Sequence, residues 1–262
     1  MKILVCVKQV LDTAAKIQIE DGRVVSLGSP RIINPYDEFA IEEAVRIKEK
    51  QPDSEITLLS LGPVGFKDSI KKGLAMGADK AVHLMDPDFD GLDSYATAKV
   101  MTRYIEKNSY DLILCGRQSV DADMAQIGPL LATFLRIPFV TVVTKIEFSE
   151  DYKNAKITRQ VVGGNESREL SLPLLLTCQK GLNEPRLPSL KGIMAAKKKE
   201  VITLTAVDLG IEDILLSSAN NRLIEENLCL PLERKKGIIL EGDEEKVCSN
   251  LVQLIREEEK II

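Results

Sequence analysis

The sequence predicts an α/β protein: a doubly wound, mostly parallel sheet followed by a C-terminal extension. Two observations carry that expectation. Short apolar runs recur through the first half, at Lys2–Lys8, Glu55–Leu61, Lys80–Leu84 and Leu112–Cys115, and the second and fourth stop at a Gly-Pro pair and a glycine. Between them lie single stretches with apolar residues at helical spacing. Strands that alternate with single helices must be joined by crossovers, and crossovers give a parallel sheet.

Taken in order, Lys2 to Lys8 (KILVCVK) reads as a first buried strand. Lys16 to Leu27 reads as a hairpin turned at Asp21-Gly22. Asn34-Pro35-Tyr36-Asp37 is a turn in which Asp37 can cap a helix through Phe39, Ile41, Ala44, Val45 and Ile47. Glu55 to Leu61 is the next strand, halted by Gly62-Pro63. A helix from near Phe66 ends near Gly77, and Lys80 to Leu84 forms another strand. Asp93 or Ser94 caps a helix through Ala96, Ala98, Val100 and Ile105.

The stretch Asp111 to Arg136 organises the rest. Leu112-Ile113-Leu114-Cys115 is a buried strand stopped by Gly116, and a polar loop follows with Arg117, Gln118, Ser119, Asp121 and Asp123. Ile127, Leu130, Leu131, Phe134 and Leu135 then mark a helix. Proline is tolerated only in a helix's first turn, so Pro129 places the free amides near Gln126 to Gly128. Gly128 removes a side chain where a ligand would approach, and bare amides plus the helix dipole favour an anion. This is how an open parallel sheet holds a nucleotide phosphate. An ordinary strand-to-helix turn, with Gly128 and Pro129 as punctuation, fits the same residues. Asp121 and Asp123 are a weak metal signal and are read instead as acceptors for loop amides or ribose hydroxyls.

The second half changes character. Val140 to Phe148 and Ala155 to Val162 read as paired strands followed by Gly163-Gly164, and Glu169 to Thr177 as a strand interrupted by Pro173. Asn183 to Lys199 (NEPRLPSLKGIMAAKKK) reads as a loop because of Pro185, Pro188 and Gly192. Leu187, Leu190, Ile193 and Met194 there could form an apolar anchor beside Lys197, Lys198 and Lys199, as a transient docking surface requires. Composition alone favours the plainer reading, apolar groups packed down and solvated lysines. From about Ala206 the strand–helix rhythm is lost. Glu244 to Ile262 is a terminal amphipathic helix with Val247, Leu251, Leu254 and Ile255 on one stripe, placed to embrace a partner subunit or to fold back. The division expected is 1–205 and 206–262.

Composition removes several function classes. The 262 residues carry a net charge of −5, no tryptophan and 4% aromatics, which disfavours a nucleic-acid surface or a base-stacking platform. No apolar run is long enough for a membrane span, and the N-terminus does not read as a signal peptide, so a cytoplasmic protein is expected. Five cysteines without a CxxC fit reduced thiols rather than a metal or iron–sulfur framework. The single histidine, His83, reads as a structural strand residue. No GxGxxG, GxxxxGK[ST] or GxSxG occurs.

Several stretches together resemble the beta subunit of electron-transfer flavoprotein: KILVCVKQV at the start, NPYDEFAIEEAVRIKE from Asn34, LGP with GLAMGAD from Leu61 to Asp79, GRQSVDADMAQIGP from Gly116, and NEPRLPSLKGIMAAKKK. The resemblance runs through nearly the whole chain and implies a Rossmann-like, adenine-nucleotide-binding fold in an obligate heterodimer, whose alpha subunit holds one FAD. The nucleotide contacts it implies are Cys6, Asn34 to Asp37 (with Tyr36), Leu61 and the loop Asp121 to Pro129, with Gly62 and Gly116 at their strand ends. It also makes the segment after NEPR a docking loop for partner dehydrogenases anchored at Leu190, which reverses the plainer reading.

That family has two branches. In one the beta subunit holds a structural AMP. In the other it binds a second FAD, takes electrons from NADH and bifurcates them, one to ferredoxin or flavodoxin and one through the alpha-subunit FAD to a partner dehydrogenase. The bifurcating loop resembles Asp-Gly-Asp-Thr-Ala-Gln-Val-Gly-Pro; here it is Asp121-Ala122-Asp123-Met124-Ala125-Gln126-Ile127-Gly128-Pro129. Small Ala125 and Gly128 favour FAD, whereas Met124 lacks a hydroxyl for phosphate or flavin. On this reading Asp121 to Pro129 hold the diphosphate, Ser94 and Thr97 touch the flavin, and Arg117 sets positive charge beside its reduced form. The partner dehydrogenase would act on acyl-CoA, an enoyl-CoA-type substrate or lactate. The other readings are the AMP-holding carrier and, in another class, a flavin-free nucleotide-binding regulator.

Overall fold

The computed structural model describes residues 1–20, 22–26, 28–211, 221–224, 226–232 and 237–257. Strands β1 (Lys2–Cys6), β2 (Gln9–Leu11), β3 (Ile17–Glu20), β4 (Arg23–Ser26) and β5 (Arg31–Ile33) precede helix α1 (Pro35–Lys50). Then come β6 (Glu55–Leu61), α2 (Lys67–Met76), β7 (Lys80–Leu84), α3 (Ser94–Glu106), β8 (Leu112–Gly116) and α4 (Ile127–Leu135). The second half adds β9 (Phe139–Phe148), β10 (Asn154–Val161), β11 (Gly164–Ser171), β12 (Leu174–Cys178), α5 (Leu190–Ala196), β13 (Val201–Leu204), α6 (Ala206–Leu209) and α7 (Glu244–Glu257).

One nine-stranded sheet has the order β11-β10-β9-β12-β8-β1-β6-β7-β13. From β9 to β13 every neighbouring pair is parallel, and within this sheet only the edge pairs β9–β10 and β10–β11 are antiparallel. The expected doubly wound, mostly parallel α/β fold is what the chain adopts. Alternate β1 residues divide between two cores. Ile3 and Val5 pack with α1, α2 and α5; Leu4 and Cys6 pack with α3 and α4. Strands buried on both faces are mostly apolar along their length, which is why these runs are readable. Each fully buried Leu or Ile contributes roughly 1.5–3 kcal/mol.

Several elements differ from the sequence reading. Pro173 separates two strands rather than interrupting one. β11 lies at the antiparallel edge, whereas β12 enters the parallel centre between β9 and β8. The short β2–β5 pair and β13 carry too few residues to show a period. Asp37 does not cap α1: Asn34 is the N-cap residue, Pro35 opens the helix, and the Asp37 side chain turns inward. α3 is capped by Asp93, which accepts from the Ala96 amide at 2.8 Å.

The described residues fall into two compact units. The first is Met1–Gln18 with Val24–Glu226; the second draws on Ile19–Arg23 and the chain after Glu226. In the second unit α7 begins after Asp243, which accepts from the Lys246 amide at 2.9 Å, and none of its residues is buried. No described helix is long and apolar enough to cross a membrane.

Candidate functional site

From β1 the chain winds outward through β6 and β7, then returns through α3 to place β8 on the other side of β1. Strand order reverses between β1 and β8, and in open parallel sheets ligands settle beyond the carboxyl ends of the strands at such a point. Cys6, Leu61 and Gly116 are the last residues of β1, β6 and β8. The Cys6 thiol itself is buried; bonding to it, reinforced by burial, holds the neighbouring Cys115 thiol well above the ordinary range. These are packing thiols. His83 is likewise structural: it is buried in β7 with Nε2 2.9 Å from the Gly62 carbonyl, and burial lowers its pKa.

Asn34 ties this edge together. Its amide nitrogen donates to the Gln118 carbonyl (2.9 Å) and to Asp37 Oδ1 (2.8 Å), while its oxygen accepts from the Val120 amide (3.1 Å). The start of α1 is therefore bonded to the loop after β8. Asp37 Oδ2 also accepts from the Lys8 amide at 2.7 Å. Burial pushes the Asp37 carboxyl up to about 7, against the pull of these donors. Gly116 is required here, because a Cβ would sit 2.2 Å from Asp37 Oδ1. Tyr36 is half-buried beside them.

Lys8 carries no motif signature and was not among the residues expected. Its ammonium lies 2.7 Å from Asp121. Burial would raise Asp121, but the Lys8 ammonium and the Ser119 hydroxyl outweigh it and hold the carboxyl below the usual range. Asp121 thus pairs with a cation, and Asp123 accepts from the Gln118 side chain. A side-chain ion pair between positions 113 residues apart leaves no local pattern.

Loop residues 121–126 are exposed. Asp123 (φ 56°) and Ala125 (φ 54°) are left-handed, and Gln126 (φ −97°, ψ −31°) is right-handed. Alternation of hand turns successive amides toward one concave side, a main-chain anion nest. Among the described residues, the amides of Met124, Ala125, Gln126, Ile127 and Gly128 find no acceptor within the chain. They lead into α4 at its positive end. Pro129 sits in the first turn, as its spacing predicts. Gly128 also has a packing reason: a Cβ there would lie 2.4 Å from Thr177 Cγ2, so the glycine lets α4 pack on β12. A phosphate or diphosphate fits this nest.

The remaining expected residues are dispersed. Arg117 is held at the edge, its amide on the Cys178 carbonyl (2.9 Å) and its guanidinium 3.4 Å from Gln179. Ser94 and Thr97 lie in the first turn of α3, where the Asp93 carboxylate also accepts from the Arg222 and Leu223 amides. Among the described residues neither side chain bonds to the 116–129 loop. The segment read as a loop contains α5, whose N-cap Ser189 accepts from the Gly192 amide at 3.0 Å. Leu187 (87%), Leu190 (82%), Met194 (69%) and Ile193 (45%) are exposed rather than packed down, while Lys199 turns inward to the Leu74 carbonyl.

A mostly parallel sheet with exposed main-chain donors at its switch point defines a doubly wound α/β protein. The family described as "Electron transfer flavoprotein domain" matches residues 21–209. Among related proteins, the electron transfer flavoprotein subunit beta of Thermoanaerobacterium thermosaccharolyticum is 42% identical over 97% of each chain. That of Bacillus subtilis is 39% identical over 100% of each. The caffeyl-CoA reductase-Etf complex subunit CarD of Acetobacterium woodii is 41% identical over 80% of each. The chain belongs to the electron-transfer flavoprotein beta-subunit family, and its part is in electron transport.

Proposed function

We propose that this chain pairs with an electron-transfer flavoprotein alpha subunit in the cytoplasm, holds its own FAD, and works in a complex that oxidises NADH. One electron would go to ferredoxin or flavodoxin and the other, through the alpha-subunit FAD, to a dehydrogenase for acyl-CoA, an enoyl-CoA-type substrate or lactate. The observation that carries the reading is the row of unpaired amides from Met124 to Gly128, shaped by left-handed Asp123 and Ala125. Similarity to a subunit of a caffeyl-CoA reductase-Etf complex favours the bifurcating branch.

When bound, the flavin supplies hydride acceptance and one-electron transfer. The chain supplies position and charge. Amides 124–128 hold phosphate oxygens; Asn34 keeps the loop registered on α1; Leu61, Gly62 and Tyr36 wall the crevice; Lys8 sets a cation at its mouth. Arg117 adds positive charge at the strand edge, where an anionic reduced ring would need it. Residues 206–262 serve the alpha subunit, and the exposed apolar residues of 187–194 serve the dehydrogenase.

Cofactor content of the purified alpha–beta complex tests this. Two FAD per heterodimer, with bleaching of the flavin spectrum by NADH, is the expected result. One FAD with one AMP would replace bifurcation by simple electron carriage, and a colourless complex would remove the redox reading.

A further inference from the structure

We infer that Arg186 is a positioning residue for the docking helix: it clamps the start of that segment to α1 so that Leu187, Leu190 and Met194 are presented in a fixed arrangement. The inference rests on the docking role proposed for 187–194. A seven-residue helix with its large apolar side chains in water cannot order itself. Something must hold it.

Arg186 does so through a two-pronged contact. Its guanidinium grips Glu42 with Nε at 2.8 Å and Nη2 at 2.9 Å, and its own amide donates to the same carboxylate at 3.1 Å. Nη1 and Nη2 also reach Glu49. Glu42 is only 5% exposed at its side chain, so it requires a cation at that spot, whereas Glu49 is 55% exposed. Three residues earlier, Asn183 donates to the Phe39 carbonyl (3.0 Å) and to Glu43 (2.9 Å). The far end is fastened to α2. A Cβ on Gly192 would lie 2.4 Å from the Ala75 carbonyl oxygen, and the Lys199 ammonium donates to the Leu74 and Ala78 carbonyls. Leu187 follows Arg186 directly, so the clamp sets where the first apolar side chain leaves the surface. Lysine cannot replace the fork, because one ammonium cannot engage two carboxylates in the same geometry.

The test uses the alpha–beta complex with Arg186→Gln, Arg186→Lys, Glu49→Gln and Leu190→Ala, and an acyl-CoA dehydrogenase as the probe. For Arg186→Gln, amides of 190–196 should exchange hydrogen about tenfold faster and KM for the dehydrogenase should rise about tenfold. Flavin content and kcat should be unchanged. Arg186→Lys should fall between. Glu49→Gln leaves the buried pair intact and should move both readouts about twofold in the same direction, which covers the case that Arg186→Gln does not fold. Wild-type exchange and KM in Arg186→Gln and Glu49→Gln, with KM raised in Leu190→Ala, would overturn the clamp and leave the docking role standing. An unchanged KM in Leu190→Ala, with faster exchange in Arg186→Gln, would instead remove the docking role and the inference with it.

Discussion

Asp37 is the residue on which two demands meet. It must be buried to tie α1 to the end of β1, and burial pushes its carboxyl from 3.8 to about 7. Because the folded value is raised, its contribution to stability is complete below pH 4 or so and is lost as pH climbs through about 7. The loss amounts to about 4 kcal/mol once the group is fully charged. Urea unfolding of Asp37→Asn between pH 4 and 8 should lack that fall; parallel profiles for variant and parent would contradict it. Gly128 makes a second residue-scale case. Gly128→Ala forces a methyl against Thr177 and should cost about 1–3 kcal/mol of stability, read as a lower urea midpoint. An unshifted midpoint would show that α4 can ride up on β12 without penalty.

At the scale of elements, the loop before α4 holds its amides outward only while Ala125 stays left-handed. Ala125→Pro fixes φ near −65° and deletes one donor, so nucleotide affinity should fall about 100-fold by titration calorimetry. The thermal midpoint should hardly move, since residues 121–126 are exposed. Unchanged affinity would mean that the phosphate is held elsewhere. This loop was legible in advance because Gly116, Gly128 and Pro129 punctuate it. So were β1, β6, β7 and β8, as mostly apolar runs. What joins them was not. Asn34 meets Gln118 and Val120 across more than eighty positions, and Lys8 meets Asp121 across more than a hundred, separations at which sequence carries no pattern. α5 was hidden for another reason. Pro185, Pro188 and Gly192 announce a loop, yet Ser189 supplies a cap and Gly192 supplies room against α2.

On the scale of the whole molecule, the sheet and its site belong to the first compact unit, and α7 to the second. A chain stopped at Glu226 should keep its nucleotide affinity and its unfolding transition, while the alpha subunit no longer copurifies with it. Undiminished copurification would show that residues beyond 226 do not serve the heterodimer. The proposed function needs main-chain donors at the switch point between β1 and β8 above all else. A crystal structure of the alpha–beta complex with its nucleotide tests that directly. It should place phosphate oxygens about 2.7–3.2 Å from amides between Met124 and Gly128. A phosphate bound away from these amides, or the nest filled by the protein's own side chains, would contradict it.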